Sequence, residues 1–139
     1  MAAYLKPLPL ISDLNRPFWD GLAAHELRIP RCLDCGDFNW APYPACRTCL
    51  SEHQEWTVVS GDATVFSFTV VHRGPGAFDA DVPYVLALGQ LREQPRACNV
   101  LANVVGIDPE AVRIGMPLRI GFVDIPSEGI TLYRWEAAG

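Results

Sequence analysis

The sequence predicts a mainly β protein: an N-terminal helical segment, a loop that binds metal through four cysteines, and a barrel of five or six strands. Three observations carry this reading. Cys32, Cys35, Cys46 and Cys49 form two pairs at two-residue spacing; from Trp56 onward apolar and polar residues alternate with period two; and one short-helix signal interrupts the strands at 108–112. A chain of 139 residues buries one modest core, and a second unit needs a stabiliser other than apolar area. A metal would serve.

The first 13 residues hold two prolines, Pro7 and Pro9, and little periodicity, so they read as an extended arm that depends on packing for its order. A helix is expected next. Asn15 is placed to accept from a free backbone N–H, Pro17 suits the first turn, and Phe18, Trp19, Leu22 and Ala23 recur at helical spacing through about Glu26. Leu27 and Ile29 alternate with polar residues up to Pro30, a short strand leading to the first cysteine pair. The expected units are 1–30 for arm and helix, 31–52 for the cysteine loop and 53–139 for the barrel.

Between the pairs lie ten residues, including Pro42 and Pro44, with Gly36 directly after Cys35. Two-residue spacing lets both thiolates of a tight turn face one ion, and four sulfurs at about 2.3 Å complete a tetrahedron with no open position. The implied metal is structural, and its site is Cys32, Cys35, Cys46 and Cys49. Zn2+ is preferred over iron: Arg47 stands where many such turns have Pro, and Leu50 follows Cys49 where Gly is usual, so the second turn departs from the pattern of rubredoxins. The fifth cysteine, Cys98, lies in a strand pattern and reads as a small buried hydrophobe.

The strand candidates are Trp56–Ser60, Thr64–His72, Tyr84–Leu91, Arg96–Val105, Pro117–Asp124 and Ile130–Trp135. In the second, Phe66, Phe68 and Val70 are expected on one face, with Ser67 and Thr69 opposite. Asp108-Pro109-Glu110 has the cap, proline and acid of a short helix between two late strands, which fits an OB-type barrel. Periodicity alone leaves a β-sandwich open.

Net charge −5 and a pI near 5.0 disfavour nucleic acid as partner, because that affinity rests on Lys and Arg. No apolar run approaches the roughly 18 residues of a membrane span. The residues Met1–Pro7 have neither signal-peptide nor transit-peptide character, so a cytoplasmic location without membrane attachment is expected. His25, His53 and His72 are scattered, with no metalloprotease helix, nucleophile elbow or phosphate loop, and no catalytic set is assigned. Arg73 and Phe78, in a long Gly-rich and acidic loop between strands, are candidates to face a ligand or partner. Phe18 and Trp19 either pack the helix onto the cysteine loop or face a partner, with packing preferred.

From about residue 14 to 135 the chain resembles the zinc-ribbon OB-fold proteins of a domain-of-unknown-function family. The landmarks occur in order: Pro17-Phe18-Trp19, Glu26-Leu27, Cys32-x2-Cys35-Gly36, Pro42, Cys46-x2-Cys49, Glu55-Trp56, Gly61, Thr64 to His72, Val82-Pro83-Tyr84 and Ile114-Gly115-Met116-Pro117. The resemblance implies a rubredoxin-like ribbon, an OB barrel, and a place beside a thiolase-like protein that holds the catalytic residues. It also implies a hetero-oligomer acting on acyl-CoA by carbon–carbon bond cleavage or formation, as in steroid side-chain or aromatic degradation, with a CoA thioester shared with the partner. One departure stands out. Where the family often has a Glu-Gly turn, this chain reads Leu91-Arg92-Glu93-Gln94-Pro95-Arg96. The expected function is therefore a non-catalytic accessory subunit; the alternatives are a stand-alone acyl-CoA binder or carrier and, more remotely, a nucleic-acid-binding OB module.

Overall fold

The computed structural model of the chain describes residues 4–94 and 98–138. Beyond the arm, helix α1 spans Arg16–Ala23, and strands β1 (Leu27–Cys32) and β2 (Gln54–Val59) pair antiparallel on either side of the cysteine loop. Five further strands follow: β3 (Asp62–Val71), β4 (Tyr84–Leu91), β5 (Asn99–Val105), β6 (Pro117–Ile125) and β7 (Ile130–Ala137). They close a barrel in the order β3-β4-β5-β7-β6, the five-stranded OB arrangement, so the sandwich alternative falls. The first strand candidate, Trp56–Ser60, falls in β2 and pairs with β1 rather than joining the barrel, Val59 lying opposite Leu27. A 3-10 turn at Pro109–Ala111 sits where its capping signal predicts, with Asp108 Oδ1 accepting from the Glu110 N–H at 2.9 Å.

Three local expectations are corrected. The cap at Asn15 is not formed: its backbone is already helical (φ −102°, ψ −2°), whereas a capping residue needs an extended backbone to aim its side chain at the helix. Its Oδ1 accepts from the Ser12 N–H at 2.7 Å instead, and its Nδ2 donates to the Leu10 carbonyl at 3.1 Å. The helix ends at Ala23 rather than near Glu26, because His25 turns left-handed (φ 57°) and the N–H groups of His25 and Glu26 return to the carbonyls of Leu22 and Gly21. In β3 the register slips between Val65 and Ser67, so Phe66 is an inserted bulge residue, 48% exposed, and does not share a face with Phe68. The fourth strand candidate begins at Asn99; its expected start, Arg96, lies outside the described residues.

One core runs through helix, ribbon and barrel. Phe18, Leu22, Leu27, Ile29, Phe38 and Val59 join Val65, Val85, Leu118 and Trp135 in a single buried cluster, and Cys98 lies within it. Trp135 fills the barrel: it is fully buried, its Nε1 donates to the Val100 carbonyl at 3.0 Å, and its indole occupies the space a Cβ at Gly89 would need. Among the described residues no helix is long and apolar enough to cross a membrane.

Candidate metal centre and adjoining surfaces

The end of β1 and the two turns of the loop bring Cys32, Cys35, Cys46 and Cys49 together, all four sulfurs within 4.8 Å of one another. Cys32 Sγ lies 3.5 Å from Cys49 Sγ, and Cys35 Sγ lies 3.6 Å from Cys46 Sγ. A tetrahedral ion with arms of about 2.3 Å separates its sulfurs by about 3.8 Å, so the cluster has the size such an ion requires. The two turns are built alike. The Gly36 N–H donates to the Cys32 carbonyl and the Leu50 N–H to the Cys46 carbonyl, each at 2.9 Å, and both residues have positive φ, 81° and 65°.

Backbone N–H groups aimed at the sulfurs govern their acidity. That of Cys35 leads in holding the Cys32 thiol below its ordinary value. At Cys46 burial opposes ionisation, yet the N–H groups of Cys49 and Thr48 and the Asn39 side chain bring it down to about 6. The Asp37 N–H favours a thiolate at Cys35, but burial and the neighbouring sulfurs push that thiol up to about 12; at Cys49 the Ser51 N–H is likewise outweighed by the sulfurs and burial. The clustered sulfurs compete for negative charge, and a divalent cation among them would favour the thiolate form of all four. The donor set fits such an ion.

Buried polar groups hold the loop in shape. Asn39, 1% exposed, donates to Gln54 Oε1 at 3.3 Å and accepts from the Arg47 N–H at 3.1 Å, tying the second turn to β2. The Thr48 hydroxyl donates to Asp37 Oδ2 at 2.8 Å. Gln94, from the turn that follows β4, donates to the Phe38 carbonyl at 3.0 Å and accepts from the Phe38 N–H at 3.4 Å, clasping ribbon to barrel. Sequence reasoning passed over Asn39 and Gln94; the altered turn after Leu91 was the only signal of the second.

The other candidate residues separate. Phe18 is 1% exposed, with ring centroids 4.3 Å from Trp40 and 5.3 Å from Tyr133, so it faces the interior of this chain rather than a partner. Trp19 is half-buried, edge-on to Phe18 at 5.2 Å. Arg73 is exposed, while Phe78 is half-buried in the 3-10 turn Gly76–Asp81. Phe78 borders a groove of about 560 Å³ whose walls include Val104, Ile107, Val123 and Leu132, and across which Lys6 reaches Asp81 at 2.6 Å. Of the histidines, His25 stacks on Phe122 at 4.9 Å and places Nε2 3.1 Å from both Asp124 oxygens, while the Thr131 hydroxyl, then His25, hold the Asp124 carboxyl below its ordinary range. His53 Nδ1 lies 3.2 Å from Asp34 Oδ2, and His72 is exposed.

Two domain models match the chain in order: one described as the ChsH2 rubredoxin-like zinc ribbon domain, over residues 19–54, and one described as the ChsH2 C-terminal OB-fold domain, over residues 56–123. A 3-oxo-4,17-pregnadiene-20-carboxyl-CoA hydratase alpha subunit of Mycobacterium tuberculosis is 44% identical over 119 residues, covering 86% of this chain and 36% of the relative. A probable enoyl-CoA hydratase alpha subunit of Thermomonospora curvata is 33% identical over 125 residues, 89% of this chain and 38% of that protein, so the chain spans little more than a third of either. A DUF35 domain-containing scaffold protein of Methanocaldococcus jannaschii is 32% identical over 100 residues, 71% of this chain and 69% of its own length. Among solved structures, a chain of the Ltp2-ChsH2(DUF35) aldolase superposes with a TM-score of 0.81 at 29% identity, over 95% of this chain and all of that one. With ribbon and barrel each matched, and their order kept, the chain belongs to the DUF35 family of ChsH2-type zinc-ribbon OB-fold proteins.

Proposed function

We propose that this chain is a non-catalytic accessory subunit of a thiolase-like acyl-CoA enzyme, with Zn2+ as a structural ion on Cys32, Cys35, Cys46 and Cys49. The observation that carries the reading is the likeness to a complete chain of a two-component aldolase, over 95% of this chain. Named relatives that are subunits of acyl-CoA hydratases, and others named scaffold proteins, support the same class of role. Zinc bound by four thiolates has no open position and no redox change, so it fixes a fold and leaves the chemistry to the partner. The complex makes or breaks carbon–carbon bonds of CoA thioesters, and it works in the cytoplasm.

The test is co-expression with each thiolase-like protein encoded in the same genome. One of them is expected to co-elute with this chain and to gain solubility or turnover from it; if none does either, the role fails. A second reading, a free acyl-CoA binder, is favoured by the groove of about 560 Å³ beside Phe78, whose size suits a small ligand. Saturable heat on titrating CoA esters into the isolated chain would support it, and its absence would leave the accessory role alone.

A further inference from the structure

Leu50 sits in a conformation that works against its own side chain. It follows Cys49 as Gly36 follows Cys35, makes the same hydrogen bond to the first cysteine of its pair, and has φ 65° where Gly36 has 81°. A β-carbon is strained in that region and glycine is not. A leucine is tolerable there if its side chain gains something, yet Leu50 is 77% exposed. Its backbone hydrogen bond is one that glycine would make equally, and an exposed side chain adds little burial to offset the strain.

The surroundings have the make-up of a contact surface. Leu50 lines a depression of about 580 Å³ with Asp34, Cys49, Ser51, Glu52 and His53, and the backbone carbonyl of His53 accepts from the N–H of Leu33, 61% exposed, at 2.8 Å. The exposed Leu50 thus shares this depression with the acids Asp34 and Glu52, with His53 bonded to Asp34; the exposed guanidinium of Arg47 turns to the Tyr43 ring, 5.8 Å away. A second copy is a poor occupant. A two-fold contact would set acidic rim against acidic rim, in chains of net charge −5.

We propose that Leu50 is the apolar anchor by which the ribbon docks into an apolar recess, bordered by Lys or Arg, on the thiolase-like subunit, with the exposed Leu33 of the first cysteine turn as a secondary contact. This rests on the accessory-subunit reading and adds the surface and the chemistry of its counterpart. Docking buries a side chain whose strain the free chain carries, and it covers Cys49, one of the two exposed cysteines of the cluster.

The experiment compares the zinc-loaded wild-type chain with Leu50→Gly, Leu50→Met and Glu52→Lys, each measured alone and by titration into the thiolase-like protein that co-elutes with wild type. For Leu50→Gly the midpoint of thermal unfolding should rise while affinity for the partner falls about tenfold or more, as for a central apolar anchor. Leu50→Met should bind within a few fold of wild type, and Glu52→Lys should weaken binding with a smaller salt dependence than wild type shows. Unchanged affinity of Leu50→Gly overturns the anchor while leaving the subunit role intact. A Leu50→Gly chain that melts no higher than wild type overturns the argument from strain. If no thiolase-like protein binds wild type, the accessory role fails and the docking proposal goes with it.

Discussion

Gln94 contributes to this fold out of proportion to its place in a turn. Its amide gives the Phe38 backbone both the donor and the acceptor that a neighbouring strand would supply, and both residues are buried, at 6% and 7% exposure. Gln94→Leu keeps much of the volume but leaves the Phe38 N–H and carbonyl unpaired away from water. The expected loss is about 1–3 kcal/mol, the penalty for a buried polar group without a partner, read from urea unfolding with zinc held constant. Wild-type stability in that variant would mean that water satisfies Phe38. The four cysteines could be recognised from sequence because pairs two residues apart carry their geometry in the covalent chain. Gln94 could not, because its partner is 56 residues away and nothing local marks the encounter. Asn39 escaped notice for the same reason: the groups it joins, Arg47 and Gln54, meet only once the loop has closed.

At the scale of elements, period-two alternation located every barrel strand but could not register the insertion within β3. A bulge keeps the composition of a strand and shifts its phase by one, so Phe66 read as sharing a face with Phe68 and Val70 and instead stands 48% exposed at the bulge. Barrel closure was likewise invisible, since it depends on β3 meeting β6 at Asp62–Arg119 and β5 meeting β7 in parallel at Val104–Trp135. The short turn at Asp108 was the one local mark of that topology. A tightly constrained point of the barrel is Gly89 of β4, over which the Trp135 indole lies. Gly89→Ala adds a methyl group where the ring already is. The expected loss is about 1–3 kcal/mol, as for overpacked cores, with a changed near-ultraviolet dichroism as the tryptophan moves. An unchanged spectrum and midpoint would show that β4 and β7 can separate freely, contrary to a close-packed barrel.

For the whole molecule, the question is whether ribbon and barrel fold as one unit or two. They share a core, since Phe18, Phe38 and Val59 cluster with Val65 and Trp135. Their means of support differ, however. Between β1 and β2 the buried apolar residues are few, with Phe38 and Cys46 the main ones, and the backbone closes on itself through Gly36, Asn39, Cys46 and Leu50 rather than through a sheet. Such a loop depends on its ion, because metal affinity and folding are the same free energy there. The barrel instead has continuous pairing from β3 through β4 to β5 and from β6 to β7, around Val85, Ala87, Val100 and Trp135. Removing zinc with a strong chelator, or replacing Cys46 with Ser, should therefore release amide protection at Gly36, Asn39, Cys46 and Leu50 first. Protection at Val85, Ala87, Val100 and Ala102 should persist, at a stability lowered by several kcal/mol, since the Phe18 and Phe38 side of the core loses its cover. Native-state hydrogen exchange with and without metal separates the outcomes. Simultaneous loss in both groups of amides would mean one cooperative unit with the ion at its centre, and no loss in the first group would mean that the four sulfurs hold their loop without an ion.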